Sequence, residues 1–190
     1  MEDGCGKPEQ GCSGPVTLVD PALSPGEIVA IVDKENNVVS SAPRSVMRKE
    51  GLIHRATYIL VFNSKHELFV QERTLTKDIF PGYYDLCTGG VVLAGEEYEE
   101  SALRELEEEI GVAGEKLTTL FDFYGEYAGQ KVWGRAFSCI SDGPFTLQPE
   151  EVSSGAFHHE ESLRRLIASE RCTPDSVYVY LRALNNGNGR

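Results

Sequence analysis

The stretch that decides the reading of this chain is Gly90-Val91-Val92-Leu93-Ala94-Gly95-Glu96-Glu97-Tyr98-Glu99-Glu100-Ser101-Ala102-Leu103-Arg104-Glu105-Leu106-Glu107-Glu108-Glu109-Ile110-Gly111-Val112. Eight glutamates fall between positions 96 and 109, so their placement needs a physical reason. At about 3.6 residues per turn, Glu105 lies three residues from Glu108 and four from Glu109, which projects all three carboxylates from one side of a helix. Tyr98, Ala102, Leu106 and Ile110 recur every fourth residue and predict a buried stripe on the opposite side. Gly111 supplies a left-handed stop. Like charges at these separations repel by a few tenths of a kcal/mol per pair even when exposed. A multivalent cation over the stripe removes that repulsion, and clustered hard oxygens suit Mg2+ or Mn2+.

Written as a pattern, the segment is G-x5-E-x7-R-E-L-x-E-E-x-G-V, with Gly90, Glu96, Arg104, Glu105, Leu106, Glu108, Glu109, Gly111 and Val112 at the fixed positions. It resembles the Nudix box, the signature of hydrolases that cleave nucleoside diphosphates linked to another moiety X. The resemblance implies an α/β/α sandwich with a mixed sheet and a catalytic loop–helix–loop. It further implies divalent metal on Glu105, Glu108 and Glu109, with Arg104 orienting those glutamates through ion pairs. Glu96 would support the loop, and Gly90 and Gly111 would frame the box.

Outward from the box, 190 residues suit one domain over 26–186, with a loose Gly/Pro/Ser-rich leader at 1–25 and a tail at 187–190. No apolar run approaches the roughly 20 residues needed to span a bilayer. The N-terminus is acidic and lacks the features of a secretory signal or an Arg-rich transit peptide. Five cysteines without a CxxC pair read as reduced thiols, and a cytoplasmic location is the default expectation. A formal net charge of -12 argues against nucleic-acid or anionic-membrane partners. It is compatible with a small diphosphate substrate bridged by metal. The expected assembly is a monomer or homodimer.

Hydrophobic patterning predicts a hairpin of Glu27–Val32 with Val38–Ser41, then a short helix opened by Pro43 and running through Arg48. Strands are expected at Ala56–Phe62 and Leu68–Glu72, with an extended run from Tyr83 to Val92. A hairpin of Leu117–Tyr127 and Lys131–Ile140 follows, then a helix near Glu160–Ser169. The last helix takes Thr173 as cap and Pro174 as first residue, with Val177, Tyr180, Leu181 and Leu184 on one face.

His54-Arg55-Ala56-Thr57, Val70-Gln71-Glu72-Arg73, Lys77-Asp78 and Phe80-Pro81-Gly82-Tyr83-Tyr84-Asp85 resemble the isopentenyl diphosphate isomerase-like Nudix subgroup. Type 1 isomerases carry a catalytic cysteine directly before the box glycine and a metal-binding histidine directly after it. Here those positions hold Gly89 and Val91, which neither move a proton nor bind metal, so hydrolysis is the favoured reading. Cys87 reads as a small buried thiol. An isomerase-like enzyme and a catalytically idle Nudix binding module remain alternatives.

For hydrolysis, Glu105 and Glu151 are the candidate bases, with Glu150 behind the latter, and Arg55, Arg73 and Lys77 are the candidate phosphate ligands. Relatives in the family commonly carry Trp where this chain has Phe157. His54 reads as structural, and the His158-His159 pair as the opening of a helix. The scattered aromatics, Tyr83, Tyr84, Phe123, Tyr124, Tyr127 and Trp133, select no nucleobase.

Overall fold

A computed structural model describes residues 26–187. The expected leader at 1–25 and residues 188–190 of the tail fall outside the described residues. The chain opens with strands β1 (Ile28–Val32) and β2 (Val38–Pro43), paired antiparallel. Asp33 closes their turn by accepting the N–H groups of Glu35 at 3.0 Å and Asn37 at 2.8 Å. Helix α1 (Arg44–Glu50) follows, and its Met47 packs on Val29 and Ile31 of β1. Pro43 caps this helix rather than occupying its first turn, and the helix runs two residues past the predicted Arg48 end.

Strand β3 (Ile53–Phe62) is the spine. Its successive residues face opposite sides, as strand geometry requires. Ile59 and Val61 meet Ala102, Leu106 and Ile110 of helix α2 (Tyr98–Ile110). Leu60 meets Leu163 of helix α3 (Glu160–Ala168) and Val179, Tyr180 and Ala183 of helix α4 (Pro174–Asn185). An all-apolar run such as Tyr58–Phe62 is what a strand covered on both faces needs. Each fully buried Leu or Ile contributes roughly 1.5–3 kcal/mol of burial. The result is the expected α/β/α sandwich.

The sheet is mixed and eight-stranded. β4 (Leu68–Arg73) and β5 (Tyr84–Asp85) continue it on one side. On the other, β7 (Gln130–Ile140) runs parallel to β3 from Ile53↔Lys131 to Phe62↔Ile140, and β6 (Thr118–Tyr127) pairs antiparallel with β7. The run expected to be extended from Tyr83 to Val92 is a regular strand only at Tyr84–Asp85. Beyond it the chain threads along β3 by single bridges, Ile59↔Thr88 and Ala56↔Val91, and then meets β1 at Val29↔Leu93.

One strand has no counterpart among the predicted elements, and one expectation is corrected. β8 (Val152–His158) pairs antiparallel with β4. Its Ser153, Ser154 and Gly155 carry no apolar alternation because that stretch is exposed, and β4's ladder holds it in place. On α4 the inward residues are Ser176, Val179, Tyr180 and Ala183, whereas Leu181 is 45% exposed. Small Ser176 and Ala183 face inward because α4 lies close to the sheet, with the Ser176 hydroxyl accepting the Leu86 N–H at 3.1 Å. Thr173 does sit at the cap position, but its hydroxyl pairs with that of Ser176 at 2.6 Å instead of capping the backbone.

Candidate active site

Helix α2 begins with a capping box: the Glu97 carboxylate takes the backbone N–H of Glu100, and the Glu100 carboxylate takes that of Glu97 at 3.0 Å. It ends at Gly111, which adopts the left-handed conformation at φ 71°. Tyr98, Ala102, Leu106 and Ile110 are all buried, which fixes the rotation of the helix and so the direction of its carboxylates.

Arg104 organises the upper part of that face. Its Nε donates to Glu96 at 2.9 Å, while Nη1 donates to Glu105 at 2.8 Å and to Glu108 at 2.9 Å. Burial works against the Arg104 charge, but its bonds to Glu96 and Glu105 win and raise its pKa further. Glu96 also accepts the Leu93 N–H at 3.1 Å, tying the loop to the helix. Burial opposes Glu96 ionisation too, yet Arg104 holds its pKa below the ordinary range.

The three box carboxylates occupy graded environments. Glu108 is half exposed, Glu105 is largely covered and Glu109 is buried. Desolvation raises the pKa of Glu105 against the pull of Arg104. Desolvation also lifts Glu109 to about 7, against a 3.0 Å bond from Gln71 Nε2. Glu109 further takes the Gly89 N–H at 3.4 Å and forms no ion pair shorter than 4.0 Å among the described residues.

Two glycines let the loop approach. A Cβ on Gly90 would lie 2.6–2.7 Å from the Glu105 carboxylate, so Gly90 leaves that carboxylate its place. Gly89 sits at φ 145°, and a Cβ there would meet the Thr57 carbonyl oxygen at 2.2 Å. Only a residue without a side chain fits that contact.

The facing wall comes from β4, the loop after it and the turn before β8. Arg73 pairs with Asp85 at 3.2 Å and donates to the Ile79 carbonyl at 3.0 Å. Lys77 forms an ion pair with Glu151. Burial, with Arg73 adding to it, lowers Lys77 to about 8. Arg55 lies apart from this group. Its Nε and Nη2 donate to Asn36 at 2.9 and 2.7 Å, and its guanidinium stacks 5.1 Å from the Tyr98 ring. Phe157 packs 5.6 Å from both Phe69 and Phe145. His159 caps α3 by accepting the Ser162 N–H at 3.0 Å.

Gln71 was missed by sequence reasoning. Nothing local marks it; it faces Glu109 only because β4 lies beside the threaded loop. As placed, no three His, Cys, Asp or Glu side chains among the described residues already close around an ion. Glu105, Glu108 and Glu109 do share one helix face against the glycine loop, the first two joined by Arg104 and the third buried with no ion pair among the described residues. Those donors fit Mg2+ or Mn2+.

The comparisons show the family and the fold. The NUDIX domain family profile matches residues 52–176. A Nudix hydrolase of Pseudomonas aeruginosa is 44% identical over 156 residues, spanning 82% of this chain and 92% of that one. The Nudix hydrolase YfcD of Escherichia coli K12 is 46% identical over 158 residues, spanning 82% and 85%. Among solved structures, DR0079 from Deinococcus radiodurans superposes with a TM-score of 0.67 at 26% identity, covering 78% of this chain and 94% of that one. The NUDIX domain of Shewanella oneidensis NrtR, complexed with ADP ribose, shares the fold at a TM-score of 0.57 and 14% identity, over 70% and 86%. With the box folded onto its helix and the family matched across most of its length, this chain belongs to the Nudix hydrolases.

Proposed function

We propose that this protein is a Mg2+- or Mn2+-dependent diphosphohydrolase that cleaves the phosphoanhydride bond of a small organic or nucleoside diphosphate. The observation that carries the reading is one face of α2 set against the glycine loop: Glu105 lies against Gly90, Arg104 joins it to Glu108, and the buried Glu109 takes the Gly89 N–H. These three side chains would hold the metal, which when bound would neutralise charge on the diphosphate and acidify a water.

The chain's own groups supply the rest. Arg104 fixes the spacing of Glu96, Glu105 and Glu108, and Gln71 fixes Glu109. Arg73 and Lys77 face the same space from β4 and its loop, each already balanced by one carboxylate. A diphosphate arriving there would exchange those carboxylates for its own oxygens, with Arg73 gripping as a fork and Lys77 as a point charge. Arg55 is committed to Asn36 and Tyr98, and its role is to hold the β1–β2 turn against α2. Glu105 and Glu151 are the candidates to take the proton of that water. Glu105 suits a general base better, since burial raises its proton affinity.

The isomerase alternative loses ground on backbone geometry. The position that would carry its cysteine is Gly89, where the Thr57 carbonyl leaves no space for a side chain. Purified protein with Mg2+, assayed against a panel of nucleoside and alkyl diphosphates, is expected to release phosphate or a nucleotide. Glu105→Gln is expected to lower turnover by about 10²–10³-fold, the usual effect of removing one group that stabilises transition-state charge. Full turnover in that variant would sink the site assignment.

A further inference from the structure

Across Gly89 and Gly90 from the box carboxylates lies a cavity of about 150 Å³. Arg73, Gly89 and Gly90 line it, which places it against the space where the diphosphate is proposed to sit. Its other walls come from β3, the β6–β7 turn and the start of α4, including Tyr58, Tyr127 and Asp175. Its lining guanidiniums are matched: Arg48 pairs with Asp78, and Arg73 with Asp85. Asp175 differs. Asp175 is held by the Tyr58 hydroxyl at 3.1 Å and by N–H groups of its own helix start, and no cation pairs with it among the described residues.

We propose that this cavity seats the moiety X of the substrate and that Asp175, oriented by Tyr58, selects an X presenting a hydrogen-bond donor, with a protonated amine the best match. This rests on the diphosphohydrolase reading, because the cavity gains its meaning from the diphosphate at its mouth. An apolar X would take water from the Asp175 carboxylate without supplying a cation, and desolvating an unpaired charge is costly even where neutral donors hold it. Sites built to hydrogen-bond a group reject analogues that lack it far more strongly than apolar pockets reject an extra methylene. Burial and the nearby Asp85 both raise the proton affinity of Asp175, consistent with a carboxylate that lacks a cation and would gain from one.

The test uses three non-hydrolysable probes, the 3-aminopropyl, 3-hydroxypropyl and butyl esters of methylenediphosphonate, together with the parent diphosphonate. Binding to the full chain with Mg2+ is measured by titration calorimetry. The aminopropyl probe is expected to bind at least tenfold tighter than the butyl probe, with the hydroxypropyl probe between them. Asp175→Asn is expected to bring the aminopropyl-to-butyl ratio within about threefold while leaving the butyl probe unchanged. Tyr58→Phe frees the carboxylate without removing it and is expected to lower the same ratio several-fold, so the assignment survives a folding defect in the first variant. Equal binding of all three probes by the parent protein, or a preference untouched in both variants, would overturn the proposal while leaving the diphosphate site intact. Failure of the parent diphosphonate itself to bind would overturn the diphosphate reading and this proposal with it.

Discussion

The box helix and the cavity beside it share one wall, Gly89–Gly90, yet they treat buried charge in opposite ways. On the box side Arg104 alone serves three carboxylates through a fork that no lysine could reproduce. On the cavity side His54 and Cys87 are buried and Asp175 is partly covered, none with an opposite charge beside it among the described residues, and each is pushed toward its neutral form, chiefly by desolvation. The lesson is that a preorganised charge array and a pocket holding titratable groups without counter-charges can be neighbours when backbone, not side chain, forms the partition. Backbone contributes dipoles but no net charge, so neither side compensates the other.

The sharpest way to break this contrast is to thicken the partition. Gly89→Ala would force a Cβ onto the Thr57 carbonyl at a backbone conformation that L residues avoid. The expected loss is about 3 kcal/mol of unfolding free energy, read by urea denaturation. A loss under about 0.5 kcal/mol would mean the partition yields easily, and the argument against a cysteine at this position would go with it.

A smaller effect isolates the cavity side. His54 is buried on β3, and desolvation brings its pKa to about 4 from an ordinary 6.5. The unfolded chain therefore binds the extra proton first, and stability is lost as pH falls from about 6.5 toward 4. By linkage the loss at pH 5 is about 2 kcal/mol. Glu109, raised by burial to about 7, works with the opposite sign, since the folded form keeps a proton there that the unfolded chain releases above about 4.5. The difference between parent and His54→Asn stability profiles removes that common contribution. It is expected to shrink the acid-side slope, and parallel profiles at pH 7 and 5 would show that His54 is not held neutral.

The same partition separates what was legible in the sequence from what was not. Glu105, Glu108 and Glu109 share a face because of helical spacing, and Tyr98, Ala102, Leu106 and Ile110 announced the buried stripe beneath them. Such information is local, so the residues alone carry it. The apolar run of β3 likewise announced a strand covered on both faces. Lys77 and Glu151 each stood out as candidates, but their ion pair is set by β8 lying along β4, and β8 itself had no period to read. The cavity draws on β3, β5, the β6–β7 turn and α4, and no spacing rule links Tyr58 to Asp175 across 117 positions. Gln71 carries no mark in the sequence, because an amide on a strand has no signature until its partner is known.

Gln71 gives the finest test of the contrast, since it is a neutral residue of the facing wall acting on a charged group of the box. Its Nε2 donates to Glu109 at 3.0 Å, and its Oε1 accepts from the Thr88 hydroxyl at 3.5 Å, so both ends of the amide are engaged in a buried setting. Replacing it with Leu keeps the volume and apolar packing but removes the donor. Outer groups that hold a metal ligand commonly change metal affinity by about 10–100-fold, and a neutral amide belongs at the lower end, about tenfold. Gln71→Leu should therefore need about ten times more Mg2+ for half-maximal activity, with turnover at saturating Mg2+ close to that of the parent. Gln71→Glu places a second buried carboxylate beside Glu109, and like charges there should weaken metal-free folding while metal restores it. If Gln71→Leu lowers saturated turnover and leaves the Mg2+ requirement unchanged, Gln71 acts on the substrate rather than on Glu109. In that case the facing wall belongs to the reaction and not to the metal, and the division drawn at Gly89–Gly90 would have to be moved to β4.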